Sequence, residues 1–282
     1  MMAELRSVAA VSSAAPVIPA VAAAPPVLRS SSLACVAMSV ALLAPASRVH
    51  AAAEEIQVYM DDLSAPGRFG LDVHNNYVAS GAATPDYPGA QPPLHVYRLT
   101  PEFYYGLSDT LELGGYLLGT HTAAGDTNYD GAKLRLKYVA PHDASAGPFW
   151  GANLEVGRTD LRVSPAPWNA ELKGIFGYRG GAWTFAVNPN IDWSLSAHGG
   201  PATAELDFKI ACEIRPKLQV GIENYDELGP LSGFTALRSN SHVTYLALDR
   251  DFGSFDLNAG VGRGWTAVAD RWVFKFIAGF HF

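Results

Sequence analysis

The chain has 282 residues, 49% of them hydrophobic, with 27 glycines and a formal net charge of −7. No apolar run reaches the roughly 18 to 20 residues that a membrane-crossing helix needs. The acidic balance argues against nucleic acid as a partner, because that requires a basic footprint.

Residues 1–53 are rich in Ala, Val, Pro and Ser. Within them an apolar run, Leu33 to Ala46, is preceded by Arg29 and followed by Val49-His50-Ala51. That run is too short for an anchor. Small residues at the −3 and −1 positions suit signal peptidase, with cleavage after Ala51 or after Ala53. Cys35 lies inside the apolar run behind Ser32-Leu33-Ala34, a poor lipobox. Removal of the leader leaves Cys212 as the single cysteine, so no internal disulfide is expected. The leader holds Glu4 against Arg6, Arg29 and Arg48, so the exported remainder is more acidic than the whole.

Residues 54–67 come next. Ile56, Val58 and Met60 alternate, and Ser64-Ala65-Pro66-Gly67 is a turn. The segment reads either as a periplasmic tail or as a plug in a pore mouth.

From Arg68 onward, alternating segments are separated by turn residues, the period-two signature of strands. Phe69, Leu71 and Val73 oppose Asp72, His74 and Asn76 up to about Ser80. After a Pro/Gly-rich loop over 81–93, Leu94 to Gly106 sets Tyr97, Leu99, Phe103 and Tyr105 against Arg98, Thr100, Glu102 and Tyr104. A turn at 107–109 leads to Leu111, Leu113 and Leu117 against Glu112 and Tyr116. Beyond a loop over 123–130, Lys133, Arg135 and Lys137 alternate with Leu134, Leu136 and Tyr138. Phe149 to Asp160 carries Asn153 and Glu155 on its polar face, and Trp168 to Tyr178 carries Glu171 and Lys173. Trp183, Phe185 and Val187 oppose Thr184 and Asn188 in a segment ending at Trp193. Thr203 to Glu213 sets Glu205, Asp207 and Lys209 against Leu206, Phe208 and Ile210. A turn at 215–217 precedes Leu218, Val220 and Ile222, which oppose Gln219 and Glu223. Residues 226–240 read as a loop, and 242–251 is ambiguous in phase. A turn at 252–254 opens Phe255, Leu257 and Val261 against Asp256 and Asn258.

The last segment, RWVFKFIAGFHF, puts Trp272, Phe274, Phe276, Phe280 and Phe282 on one face. Such a face must be covered. It resembles the terminal strand of bacterial outer-membrane barrels, so Phe274, Phe276, Phe280 and Phe282 are expected to form a C-terminal assembly signal. Twelve segments with alternating short and long connectors, and aromatics gathered at segment ends, fit an antiparallel up-and-down barrel over 68–282.

Charges on the other face would be costly in lipid and are expected to face the lumen. They are Asp72, His74, Arg98, Glu102, Glu112, Lys133, Arg135, Lys137, Glu155, Glu171, Lys173, Glu205, Asp207, Lys209 and Glu223. They either line a small aqueous passage or pair across a filled interior, and twelve strands lie between the filled and open barrel sizes. The basic run Lys133 to Lys137 is the expected solute contact. Two histidine-containing clusters, His74-Asn75-Asn76 and Ser239-Asn240-Ser241-His242, lack the His-x-Ser-Asn pattern of barrel phospholipases. No enzyme, cofactor or metal spacing is read.

Two stretches, Glu55–Val78 and Arg98–Leu117, are similar to proteobacterial outer-membrane barrels of the meta-pathway phenol-degradation transporter type. The turn from Tyr105 to Gly114, YGLSDTLELG, carries most of this resemblance. It implies passive transport of small aromatic or hydrophobic compounds across the outer membrane of a Gram-negative bacterium. The expected partners are outer-membrane lipid, the barrel-assembly machinery and a small-molecule solute.

Overall fold

The computed structural model describes residues 55–282 apart from His198; the leader and its cleavage site lie outside the described residues. Twelve strands follow one another. They are β1 (Phe69–Ser80), β2 (Tyr97–Ser108), β3 (Leu111–His121), β4 (Thr127–Val139), β5 (Gly147–Thr159) and β6 (Trp168–Gly180). The second half comprises β7 (Trp183–Ser194), β8 (Thr203–Arg215), β9 (Leu218–Pro230), β10 (His242–Asp251), β11 (Asp256–Gly264) and β12 (Trp272–His281). Each pairs antiparallel with its sequence neighbours, and β12 returns to β1, closing the barrel. Closure leaves no edge strand, so the ladder satisfies the strand backbone on both sides.

Parity then decides which side chains face out. His74 lies opposite Thr100 on β2 and Ile277 on β12, so these three share the inner face. The outer face is apolar and open: Leu134 is 66% exposed and Phe276 43%. At the short-turn end the aromatics of adjacent strands touch. Phe69 and Tyr105 have ring centroids 4.6 Å apart, and Tyr138 and Trp150 5.7 Å. Tyr77, Trp168, Trp265 and Trp272 are exposed at the long-loop end. Two aromatic belts around an apolar band are the expected dress of a barrel in a bilayer.

Several boundaries differ from expectation for local reasons. β2 begins at Tyr97 rather than Leu94, because Pro92 and Pro93 precede it and His95 takes a left-handed φ of 59°. β6 continues past Tyr178 to Gly180, and the chain turns at Gly181, whose φ is 60°. β9 extends to Pro230, so the loop expected over 226–240 starts later. The ambiguous segment 242–251 resolves with Val243, Tyr245, Ala247 and Asp249 inward, since Tyr245 pairs with Glu223 and Ala247 with Gly221.

Residues 55–67 do not join the sheet as a strand. A parallel bridge between Pro66 and Gly106 fixes the segment at the short-turn end of the barrel, with the Gly67 amide donating to the Gly106 carbonyl at 2.8 Å. Gly106 is required here: a Cβ would stand 2.3 Å from the Ala65 carbonyl oxygen and 2.4 Å from that of Ser64.

Candidate channel lumen

From Gly67 the segment runs back into the barrel. Ile56 packs on Val78, Tyr245 and Val273, drawn from β1, β10 and β12. Val58 and Tyr59 pack on Phe149, Ile175 and Ala186, from β5, β6 and β7. The segment is therefore gripped from two sides, Ile56 on one wall and Val58 and Tyr59 on the other. Polar contacts hold the rest. The Tyr59 amide donates to Asn188 Oδ1 at 2.7 Å, and Asn188 Nδ2 donates to the Tyr59 carbonyl at 3.1 Å. Lys275 donates to the Ile56 carbonyl at 3.0 Å, and the Ser64 amide donates to Glu112 at 2.6 Å. The Tyr59 hydroxyl lies 2.6 Å from that of Tyr116 and 3.1 Å from Glu155, while the Lys173 ammonium sits 4.6 Å from the Tyr59 ring centroid.

At the short-turn end Asp61 is clasped by Arg179 and by His142, whose Nε2 is 2.6 Å away. His142 Nδ1 donates to the Ala140 carbonyl at 2.9 Å. That carbonyl first, and then Asp61, favour the imidazolium and raise the His142 pKa above its ordinary value. Asp62 pairs with Lys137 at 3.3 Å.

All fifteen charged candidates share the inward parity, and the structure sorts them into groups. Arg135 binds Glu102 and Glu112, the latter at 2.8 Å, and His74 reaches Glu102 at 3.2 Å. Glu223 accepts from Lys275, and Lys209 bridges it at 3.1 Å and Asp249 at 2.7 Å. Asp72 accepts from the Tyr104 hydroxyl at 3.0 Å. Lys173 pairs with Glu171 at 3.2 Å, and Lys133 lies 3.7 Å from Glu155. Arg98 is buried and lines the space near the long loops, as do Glu205 and Asp207. Of the basic run on β4, Arg135 is spent on two glutamates and Lys137 on Asp62. Only Lys133 faces the open space.

Two cavities flank the segment. The outer one, toward the long loops, is lined by Glu55, Ile56 and Gln57 on the segment side. The inner one, toward the short turns, meets Gln57, Val58, Met60 and Asp62. Gln57 borders both. The outer vestibule has two unlike walls. One is apolar, formed by Ile56, Val78, Val243, Tyr245 and Val273. The other is acidic: Glu155, Glu171 and Asp192 are direct cross-strand neighbours, and Glu205 pairs with Glu227. Like charges directly opposed are unfavourable, and here Lys133 and Lys173 counter them.

Sequence reasoning placed Asn153 and Asn188 on polar faces but left them, with Asn190, out of the luminal set; each is almost fully buried inside. Their parity was a usable signal; an amide simply carries no charge to draw attention. The two histidine clusters are not brought together. His74 faces the glutamates, whereas His242 binds Asp226 at 2.6 Å near the long loops. The terminal aromatics Phe274, Phe276 and Phe282 lie exposed on the outer face, with Phe280 partly exposed.

No known protein family matches the sequence, and no curated protein does. Solved structures do match the fold. An outer-membrane channel from Pseudomonas putida F1 aligns with a TM-score of 0.54 at 11% identity, over 81% of this chain and 100% of that one. The NanC porin aligns with a TM-score of 0.50 at 10% identity, over 75% and 98%. At such identities the likeness establishes an outer-membrane-type barrel and nothing finer. The phenol-degradation resemblance finds no support among these matches.

Proposed function

We propose that the chain is a passive channel in the outer membrane of a Gram-negative bacterium, held closed at rest by residues 55–67. The observation that carries this reading is the segment itself, which crosses the lumen and leaves a vestibule on either side with Gln57 bordering both. In this reading the short-turn end is periplasmic, and residues 1–53 serve as the export leader. The exposed Phe274, Phe276, Phe280 and Phe282 engage lipid and the barrel-assembly machinery.

The walls of the outer vestibule support a solute class. A small compound with an aromatic or hydrophobic body meets the Val/Tyr wall, and a positive charge on it meets Glu171, Asp192 and Glu205. This keeps the aromatic or hydrophobic solute implied by the sequence resemblance and adds a charge to it.

The test is single-channel conductance of the refolded chain from residue 54, beside a variant lacking 55–67. Small or rare openings that become large and steady on deletion are expected. A Glu171→Gln, Asp192→Asn, Glu205→Gln variant should then lose cation preference. A well-folded deletion variant that stays silent would favour a second reading, a closed structural barrel whose loops contact a partner. The dense ion pairing around Arg135 and Glu223 is the observation on that side.

A further inference from the structure

One cluster inside the barrel is explained neither by the ladder nor by solute passage. Glu55 of the luminal segment meets His74 of β1 and Glu102 of β2, and their ligand-capable atoms all lie within 4.8 Å of one another. His74 Nε2 is 3.2 Å from Glu102 Oε2 and 3.7 Å from Glu55 Oε1. Bonds of roughly 2.0 to 2.2 Å to a tetrahedral ion place neighbouring ligand atoms roughly 3.4 Å apart. The two spacings from His74 bracket that value.

The donor set is one imidazole and two carboxylates, which suits zinc and the other borderline divalent ions. Glu102 is oriented for the role: its Oε1 accepts from Arg135, which leaves Oε2 turned to the imidazole. A partner that fixes a ligating carboxylate in this way is the usual outer shell of a metal site. Glu55 is held differently: the Tyr59 hydroxyl donates at 3.2 Å to Oε1, the same oxygen that faces His74. Access is provided, since Glu55 borders the outer vestibule, whose acidic wall concentrates divalent cations.

We propose that Glu55, His74 and Glu102 form a divalent-cation site that fastens residues 55–67 to the barrel wall. The proposal rests on reading that segment as the occluding element. Two of the three ligands belong to the wall and one to the segment, so the ion acts as a removable bolt between them. Binding uses the lone pair of His74 Nε2, so any proton carried there leaves to solvent and the imidazole is neutral when bound; no redox step is involved.

The refolded chain is titrated with Zn²⁺ by calorimetry and with Co²⁺ by visible absorption, beside His74→Ala and Glu55→Gln. Heat-modifiable mobility on a gel confirms folding of each. One equivalent of metal is expected for the parent, with affinity falling at least tenfold in both variants. Chymotryptic cleavage after Tyr59, followed by mass spectrometry, reports whether the segment leaves the lumen. Zn²⁺ should slow that cleavage severalfold in the parent and leave His74→Ala unaffected. Absence of binding to the folded parent, binding undiminished in His74→Ala, or cleavage indifferent to Zn²⁺ would each overturn the proposal. None of these readouts needs current through the barrel, so a silent channel would count against the transport reading alone.

Discussion

The side-chain amide of Asn188 binds both peptide groups of Tyr59, accepting from its N–H at 2.7 Å and donating to its C=O at 3.1 Å. A single side chain thus does for one residue of the luminal segment what a neighbouring strand does in the sheet. Asn188→Leu would leave two buried backbone groups unpaired, at about 1–3 kcal/mol each. The expected result is an intact barrel by heat-modifiable mobility with a severalfold rise in open probability. Unchanged conductance and unchanged cleavage after Tyr59 would show that Asn188 does not hold the segment.

Arg135 neutralises Glu102 and Glu112 together. Arg135→Met would strand two buried carboxylates and cost about 3–5 kcal/mol, read as a lower urea midpoint for barrel unfolding. Arg135→Lys should recover little, because a point-charge ammonium does not reproduce the guanidinium's fork across two carboxylates. Adding Glu102→Gln to Arg135→Met should restore part of the loss. A parent-like midpoint for Arg135→Met would refute this account of the cluster.

The clasp on Asp61 gives a pH dependence whose sign follows from the His142 contacts. Its folded-state pKa is raised, chiefly by the Ala140 carbonyl and then by Asp61. The stability it contributes is therefore full below its ordinary value of 6.5 and declines as pH rises through the raised value. In the parent Arg179 keeps hold of Asp61 throughout. In Arg179→Ala, release of the segment should increase as pH rises above about 6.5, measured as conductance between pH 6 and pH 8. A flat profile in that variant would remove His142 from the clasp.

Gly106→Ala tests the hinge of the segment. The added methyl meets backbone oxygens of Ala65 and Ser64, which cannot swing aside as a side chain can. Residues 64–67 must shift, and faster chymotryptic cleavage after Tyr59 is expected while the strands persist. Gly147→Ala makes a useful contrast, since space around that residue is open and only its left-handed φ of 95° resists.

The barrel was legible because a strand half in lipid and half around polar space must alternate, and this chain does so from Phe69 to Phe282. Phase failed at 242–251, where Thr244 faces outward and Ala247 inward, so polarity no longer marks the face. The lumen was legible as a set of inward charges but not as a set of partners. Glu223 on β9 and Lys275 on β12 stand three strands apart and meet across the curved inner face, and Tyr59 and Asn188 are 129 positions apart. The alternation of Ile56, Val58 and Met60 suggested a strand. Instead Ile56 touches one wall while Val58 and Met60 touch the other, a choice that depends on the surrounding barrel rather than on the segment.

The strands form a ladder that closes on itself through β1 and β12, whereas side chains such as Asn188, Lys275 and Glu112 tether the luminal segment. Amide hydrogens should accordingly exchange with deuterium in two separated tiers, the segment early and the strands only on global opening. In the channel reading proposed above, the energy scale of opening the passage would be uncoupled from that of the scaffold, so that occlusion could change without breaking one strand pair.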